Sequence, residues 1–173
     1  MRTGEKMEKM NFFDEEGILG ESEAILLREI KEEEFSLFCD ILGEGGKDRA
    51  AYQTPEYMEH LKEELHREDA LYCAVIRKKD QVFCGYVGIA ELTEETWEFA
   101  IELFKKYHRQ GLGYETLMLF MNSIKEKTGV ASFKSCVTGL NLASQKLMEK
   151  ANGTLVGVEM EDGAPVMIYM HQV

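Results

Sequence analysis

The chain has 173 residues, 45% of them hydrophobic, which is one domain's length with enough apolar matter for a single core. Its 32 Asp and Glu against 20 Lys and Arg leave a net charge of -12 spread along the chain, which disfavours nucleic acid as a partner. There is no unbroken apolar run of about 18 residues to cross a membrane and no signal-peptide centre near the start, so the expectation is a soluble, cytoplasmic protein with no membrane partner.

Residues 1–23 mix charges of both signs and follow neither a helical nor a strand period. They are expected to form an arm, either mobile or docked through Met7, Met10, Phe12 and Phe13 on the body or on a second subunit, which leaves a homodimer open. The body, 24–173, starts with a strand at 24–30. A helix from Glu32 follows, with Phe35, Phe38, Cys39 and Leu42 on one face and Gly43, Gly45 and Gly46 at its end. Thr54 before Pro55 is an N-cap followed by a favoured first helical residue, and Met58, Leu61 and Leu65 carry that helix's apolar stripe.

Residues 70–92 are two β-rich runs about a polar break at 78–81, a hairpin. At 96–103 alternation puts Trp97, Phe99, Ile101 and Leu103 on one face of a strand and Glu98, Ala100 and Glu102 on the other. HRQGLG, 108–113, then opens a helix with Leu117, Phe120, Met121 and Ile124 inward, stopped by Gly129. A strand at 131–138, a helix at 141–151, and strands at 154–160 and 166–170 about a turn complete one α/β domain with a mixed sheet. Cys39, Cys73, Cys84 and Cys136 lack C-x-x-C or His-paired spacing, so neither a disulfide nor a metal is expected, and they read as small buried hydrophobes.

Strand, glycine loop, helix is the arrangement that aims unpaired backbone N–H groups at an anion, because the first helical turn has no internal partners for them. Gly111 and Gly113 remove the side chains that would hold a pyrophosphate off the backbone. Tyr114 and Glu115 stand where a nucleotide-hydrolase loop needs Lys and Ser or Thr, and the glycines are too few for a dinucleotide fingerprint. A plain strand-to-helix turn is the alternative.

His108, Gly111 and Gly113, with the strand before them and the helix after, resemble the acyl-CoA loop of the GNAT superfamily of N-acetyltransferases, and His108 stands where that family usually has Gln or Arg. The resemblance runs in order through LLREI at 26–30, VFCGYVGI at 82–89 and the late segment with Asn141, Ser144, Glu149 and Lys150. Met148 stands where many members have Tyr, a pattern similar to the RimJ/RimL branch. The resemblance implies a mostly antiparallel sheet of six to seven strands with about four helices (α+β), splayed open beside the strand at 96–103, and acetyl-CoA as cosubstrate. Pantetheine would then lie along the backbone of Ile101 to Leu103, and the pyrophosphate on the loop from His108, Arg109 and Gln110 through Gly111, Leu112 and Gly113 to Tyr114. Asn141 would face the cofactor, cap its helix, or do both.

Attack of an amine on a thioester needs a group to take the ammonium proton. Glu98 and Glu102 share a face of the strand beside the implied cleft, where they could raise each other's pKa, or simply be solvated. Ser144 could offer a hydrogen bond to the departing sulfur in place of the missing Tyr. The acceptor is a primary amine, and the acidic turn with Glu159, Glu161 and Asp162, with the net charge, favours a cationic one such as a polyamine, an aminoglycoside or a protein N-terminus. The alternative to an enzyme is a non-catalytic acyl-CoA-binding regulatory module.

Overall fold

The computed structural model describes residues 11–45 and 49–173, so Met7, Met10 and Gly46 lie outside the described residues. Two antiparallel sheets form the body. The larger runs in order through β1 (Ile18–Glu21), β2 (Ile25–Glu29), β3 (Leu71–Arg77), β4 (Val82–Ile89) and β5 (Phe99–Leu103). The smaller places β8 (Ala164–Gln172) between β6 (Ser132–Thr138) and β7 (Gly153–Glu161). Eight strands therefore stand where six to seven were expected, and the added one, β1, falls in the stretch read as an arm. Phe12, in the same stretch, is buried edge-on against Trp97, ring centroids 6.1 Å apart.

The helices are α1 (Phe35–Gly45), α2 (Pro55–Leu65), α3 (Leu112–Thr128) and α4 (Leu142–Lys150). Before α1 the chain makes a short 3-10 turn, Glu32–Glu34, where helix was expected from Glu32. Glu34 fixes that turn by accepting from the Lys31 N–H at 2.9 Å and from both Nη atoms of Arg28 at 2.9 and 2.6 Å. Thr54 caps α2 as its sequence requires, its hydroxyl accepting from the Tyr57 N–H at 3.2 Å. The α3 helix ends at Gly129, whose φ of 79° is a left-handed geometry that glycine takes without strain.

The larger sheet is sandwiched between α3 on one face and α1 with α2 on the other. Leu117, Phe120, Met121 and Ile124 of α3 are fully buried, and Phe38 of α1 stacks on Tyr86 of β4 on the opposite side. In the smaller sheet His171 is fully buried between the Ser135 hydroxyl and the Ala151 carbonyl, 2.8 Å from each. The carbonyl can only accept, so Nδ1 carries the proton and Nε2 accepts from Ser135. Burial pushes the imidazole below its ordinary pKa, and the bond to Ala151 opposes this.

Among the described residues one bridge joins the two sheets. Glu98 lies opposite Lys134 in parallel register, and the Lys134 N–H donates to the Trp97 carbonyl at 2.9 Å. Beyond that bridge no ladder joins β5 to β6, so the sheets part toward the Leu103 end of β5. Among the described residues no helix is long and apolar enough to cross a membrane.

Candidate active site

The opening between β5 and β6 presents a free strand edge. In the antiparallel β4–β5 ladder, Phe104 donates to Cys84, and successive paired residues are Glu102 with Tyr86 and Ala100 with Gly88. Alternation then turns the backbone groups of Phe99, Ile101 and Leu103 away from β4 and into the opening. The Trp97 carbonyl, on the same parity, is the one that meets β6. His108 Nε2 donates to the Leu103 carbonyl at 2.8 Å, which leaves the Leu103 N–H and both groups of Ile101 for an extended ligand.

The same bond ties the start of the glycine loop to the end of β5. Gln110 Nε2 donates to the Lys106 carbonyl at 3.0 Å, and its Oε1 accepts from Arg77 at 3.4 Å. The Tyr107 ring lies between Arg77 and Lys106, whose charged ends sit 4.8 and 5.1 Å from its centroid. The side chains of His108 and Gln110 therefore bond the protein's own carbonyls. Arg109 is exposed with a positive φ of 59°.

Gly111 is the N-cap of α3, with φ 78°, no side-chain cap, and nothing within 4 Å of where a Cβ would stand. The first intrahelical bond is from the Glu115 N–H to the Gly111 carbonyl, so the N–H groups of Leu112, Gly113 and Tyr114 come before it and point off the helix end. Leu112 contributes only that N–H, because its side chain is buried. A Cβ on Gly113 would meet Leu147 of α4 at 3.1 Å. An uncapped, glycine-lined helix end beside a free strand edge fits a pyrophosphate followed by an extended amide chain.

Glu98, in the bridge before β5, and Glu102, within it, meet different surroundings. Glu98 Oε2 is 2.9 Å from Lys134 Nζ, and its side chain is 45% exposed. Glu102 is half-buried, and Oε2 accepts from the Tyr86 hydroxyl at 3.1 Å. Burial pushes its carboxyl above the usual carboxylate range, and the Tyr86 hydrogen bond pulls it part of the way back. Glu98 has no share in that shift. Tyr57 of α2 also lies within electrostatic reach of Glu102, and Tyr72 of β3 meets Tyr86 edge-on with centroids 6.4 Å apart. An aromatic wall of Phe38, Tyr57, Tyr72 and Tyr86 thus stands on the α1 and α2 side of Glu102. Phe38 was read only as a core residue of its helix and the three tyrosines were not singled out, although a Tyr in the otherwise apolar VFCGYVGI run was a visible signal.

On the far side of the opening, Asn141 caps α4, its Oδ1 accepting from the Ser144 N–H at 3.1 Å. Ser144 is half-buried one turn into that helix. Met148 is buried. Cys39, Cys73 and Cys84 are buried and Cys136, on β6, is exposed. No group of His, Cys, Asp and Glu among the described residues is arranged to hold a metal ion.

A strand that parts from its neighbour, followed by a glycine loop at a helix N-terminus, defines an acyl-CoA-dependent transferase fold. The acetyltransferase (GNAT) domain model matches residues 24–154, and the chain belongs to that family. It is similar to a RimL ribosomal-protein alpha-N-acetyltransferase in complex with coenzyme A, at 16% identity and TM-score 0.75, covering 90% of this chain and 98% of that one. The microcin C7 self-immunity acetyltransferase in complex with acetyl-CoA and AMP matches at 13% identity and TM-score 0.70, covering 88% and 94%. RimJ of Mycobacterium smegmatis, in complex with CoA-disulfide, matches at 14% identity and TM-score 0.70, covering 86% and 81%. No curated protein matches the chain.

Proposed function

We propose that the chain transfers an acetyl group from acetyl-CoA to a primary amine that enters as its ammonium, with Glu102 as the general base. The observation that carries this is the half-buried Glu102 carboxyl, raised by burial and sited where β5 leaves the other sheet. A base with an elevated pKa matches the proton it must take at neutral pH better than an ordinary carboxylate does. Acetyl-CoA supplies the activated carbonyl. Glu102 takes one proton from the ammonium, the freed amine forms the new C–N bond, the C–S bond breaks as the nitrogen gives up a second proton that ends on the departing thiolate, and Glu102 returns its proton to solvent.

In this reading Ile101 and Leu103 hold the pantetheine through their backbone, and the N–H groups from Arg109 to Tyr114 hold the pyrophosphate. Asn141 serves chiefly by capping α4, which sets Ser144 at the sulfur side of the cleft. Glu98, in its ion pair with Lys134, closes the narrow end of the cleft. The aromatic wall favours an acceptor whose cation is flanked by apolar groups, because π faces attract cations. We place the reaction in the cytoplasm, with residues 24–173 as the catalytic domain and β1, which pairs with β2, as part of its larger sheet.

The test is thiol release from acetyl-CoA over a panel containing spermidine, an aminoglycoside and short peptides with free N-termini. Turnover of any of them that is lost in Glu102→Gln, with acetyl-CoA affinity kept, supports the reading. A silent panel with intact acetyl-CoA binding would favour a non-catalytic acyl-CoA module instead.

A further inference from the structure

Tyr86 and Glu102 stand directly opposite each other across the β4–β5 ladder, and the Tyr86 hydroxyl donates to Glu102 Oε2 at 3.1 Å. At 8% exposure this phenol has left bulk water, and the carboxylate takes the place of its solvent partner. Its ring is fixed from both sides. Phe38, carried by α1, stacks on it with centroids 4.2 Å apart and planes 25° from parallel, and Tyr72 abuts its edge. The hydroxyl is thus held by packing between the helix layer and the sheet, and is not free to follow a mobile carboxylate.

A glutamate alone would rotate about its terminal bond, which has only a broad preference. We propose that Tyr86, clamped by Phe38, is a positioning residue for acetyl transfer: by holding one oxygen of Glu102 it leaves the other turned toward the acceptor ammonium. The inference rests on Glu102 being the base. The groups that face Glu102 are Tyr86 from β4 and Tyr57 from α2. Behind them stand Tyr72 from β3, Cys39 from α1 and Tyr52 from the turn before α2, and just before its own strand Glu98, tied to Lys134. Among these the Tyr86 hydroxyl is the group that favours the charged carboxylate against burial.

The experiment is the pH profile of kcat/KM for Tyr86→Phe, which keeps the ring and its stacking on Phe38 and removes only the hydroxyl. Spermidine and an alanine-initiated tetrapeptide serve as probe amines, and the one the wild type turns over is used. The acid limb should move up by about one pH unit, giving up to about a tenfold loss on the limb that is regained on the plateau above it, with the KM for acetyl-CoA unchanged. The double variant with Glu102→Gln should be no slower than Glu102→Gln alone. A wild-type limb in Tyr86→Phe, or losses that multiply in the double variant, would overturn the positioning role while leaving the base in place. Full activity in Glu102→Gln would instead remove the base and the inference with it, so the two failures are told apart.

Discussion

Glu98, in the bridge just before β5, and Glu102, near the end of β5, are the same residue four positions apart and do opposite things. At the closed end Glu98 meets Lys134 across a bridge between the sheets and stays in contact with water. At the open end Glu102 is half-buried, with a phenol in place of a cation. A surface ion pair of the first kind contributes little and is screened by salt. A carboxyl of the second kind resists ionising and so can carry a proton at a useful pH. Where the neighbouring strand lies decides the chemistry, and the alternation that places both side chains says nothing about it.

The largest effect that would sharpen this contrast is on turnover. Glu102→Gln should lower kcat about 100-fold, within the range for one general base, with acetyl-CoA affinity unchanged. Glu98→Gln should lower it less than about threefold, because that carboxylate is tied to Lys134 at the closed end, away from the opening. Steady-state kinetics at pH 7 check both, and equal losses would break the comparison.

Next in size is cofactor binding, for which α3 supplies its own control. Gly111 and Gly129 close its two ends with φ of 78° and 79°, and neither has an atom within 4 Å of a built Cβ. Replacing either by Val strains the backbone by about 1–3 kcal/mol, so both should lower Tm alike. Only Gly111→Val should also weaken acetyl-CoA, at least about tenfold, since only that end offers unpaired N–H groups to an anion. Calorimetry on the pair separates backbone strain from loss of the ligand site.

A smaller effect is on stability against pH. The folded-state pKa of Glu102 lies above its ordinary value of 4.5, so stability is full below 4.5 and is lost as pH rises through the folded pKa. Glu102→Gln, which is never charged, should therefore melt higher than wild type at pH 7 and lose that advantage near pH 4. His171 acts in the other direction. Its folded pKa lies below 6.5, so unfolding is favoured as pH falls through 6.5, where the unfolded imidazole takes a proton and the buried one does not. Melting curves from pH 4 to 8 should show a wild-type slope below 6.5 that is missing in His171→Asn. The smallest expected change is at Thr116, fully buried on α3 with no partner for its hydroxyl. Thr116→Val should raise stability by about 1 kcal/mol in denaturant titration and leave turnover alone.

The elements that carry local chemistry were legible in the sequence. Thr54 and Pro55, Gly111 and Gly129 announce helix ends through their own backbone preferences, and the alternation at 96–103 places both glutamates correctly on one face. Contacts made across the fold were not. Lys134 lies 36 residues beyond Glu98, and Tyr86 reaches Glu102 only once the hairpin register is set. The strand β1 was hidden because its four residues include Gly20, which looks like a turn signal. A Cβ there would strike the Ser123 side chain of α3, so the glycine records a close approach of helix to sheet. The count of six to seven strands fell short for the same reason.

The loop after β5 has one further consequence, for binding speed. His108 is pinned to Leu103, Gln110 to Lys106 and Arg77, and Tyr107 is wedged between two cations. Ordering a free side chain on binding costs about 0.5–1.5 kcal/mol. Here that entropy has already been surrendered during folding, so a pyrophosphate bound as proposed would meet side chains already held in place. Association is then governed by diffusion into the cleft and by the approach of one anion to an acidic protein, and added salt should speed it by shielding that repulsion.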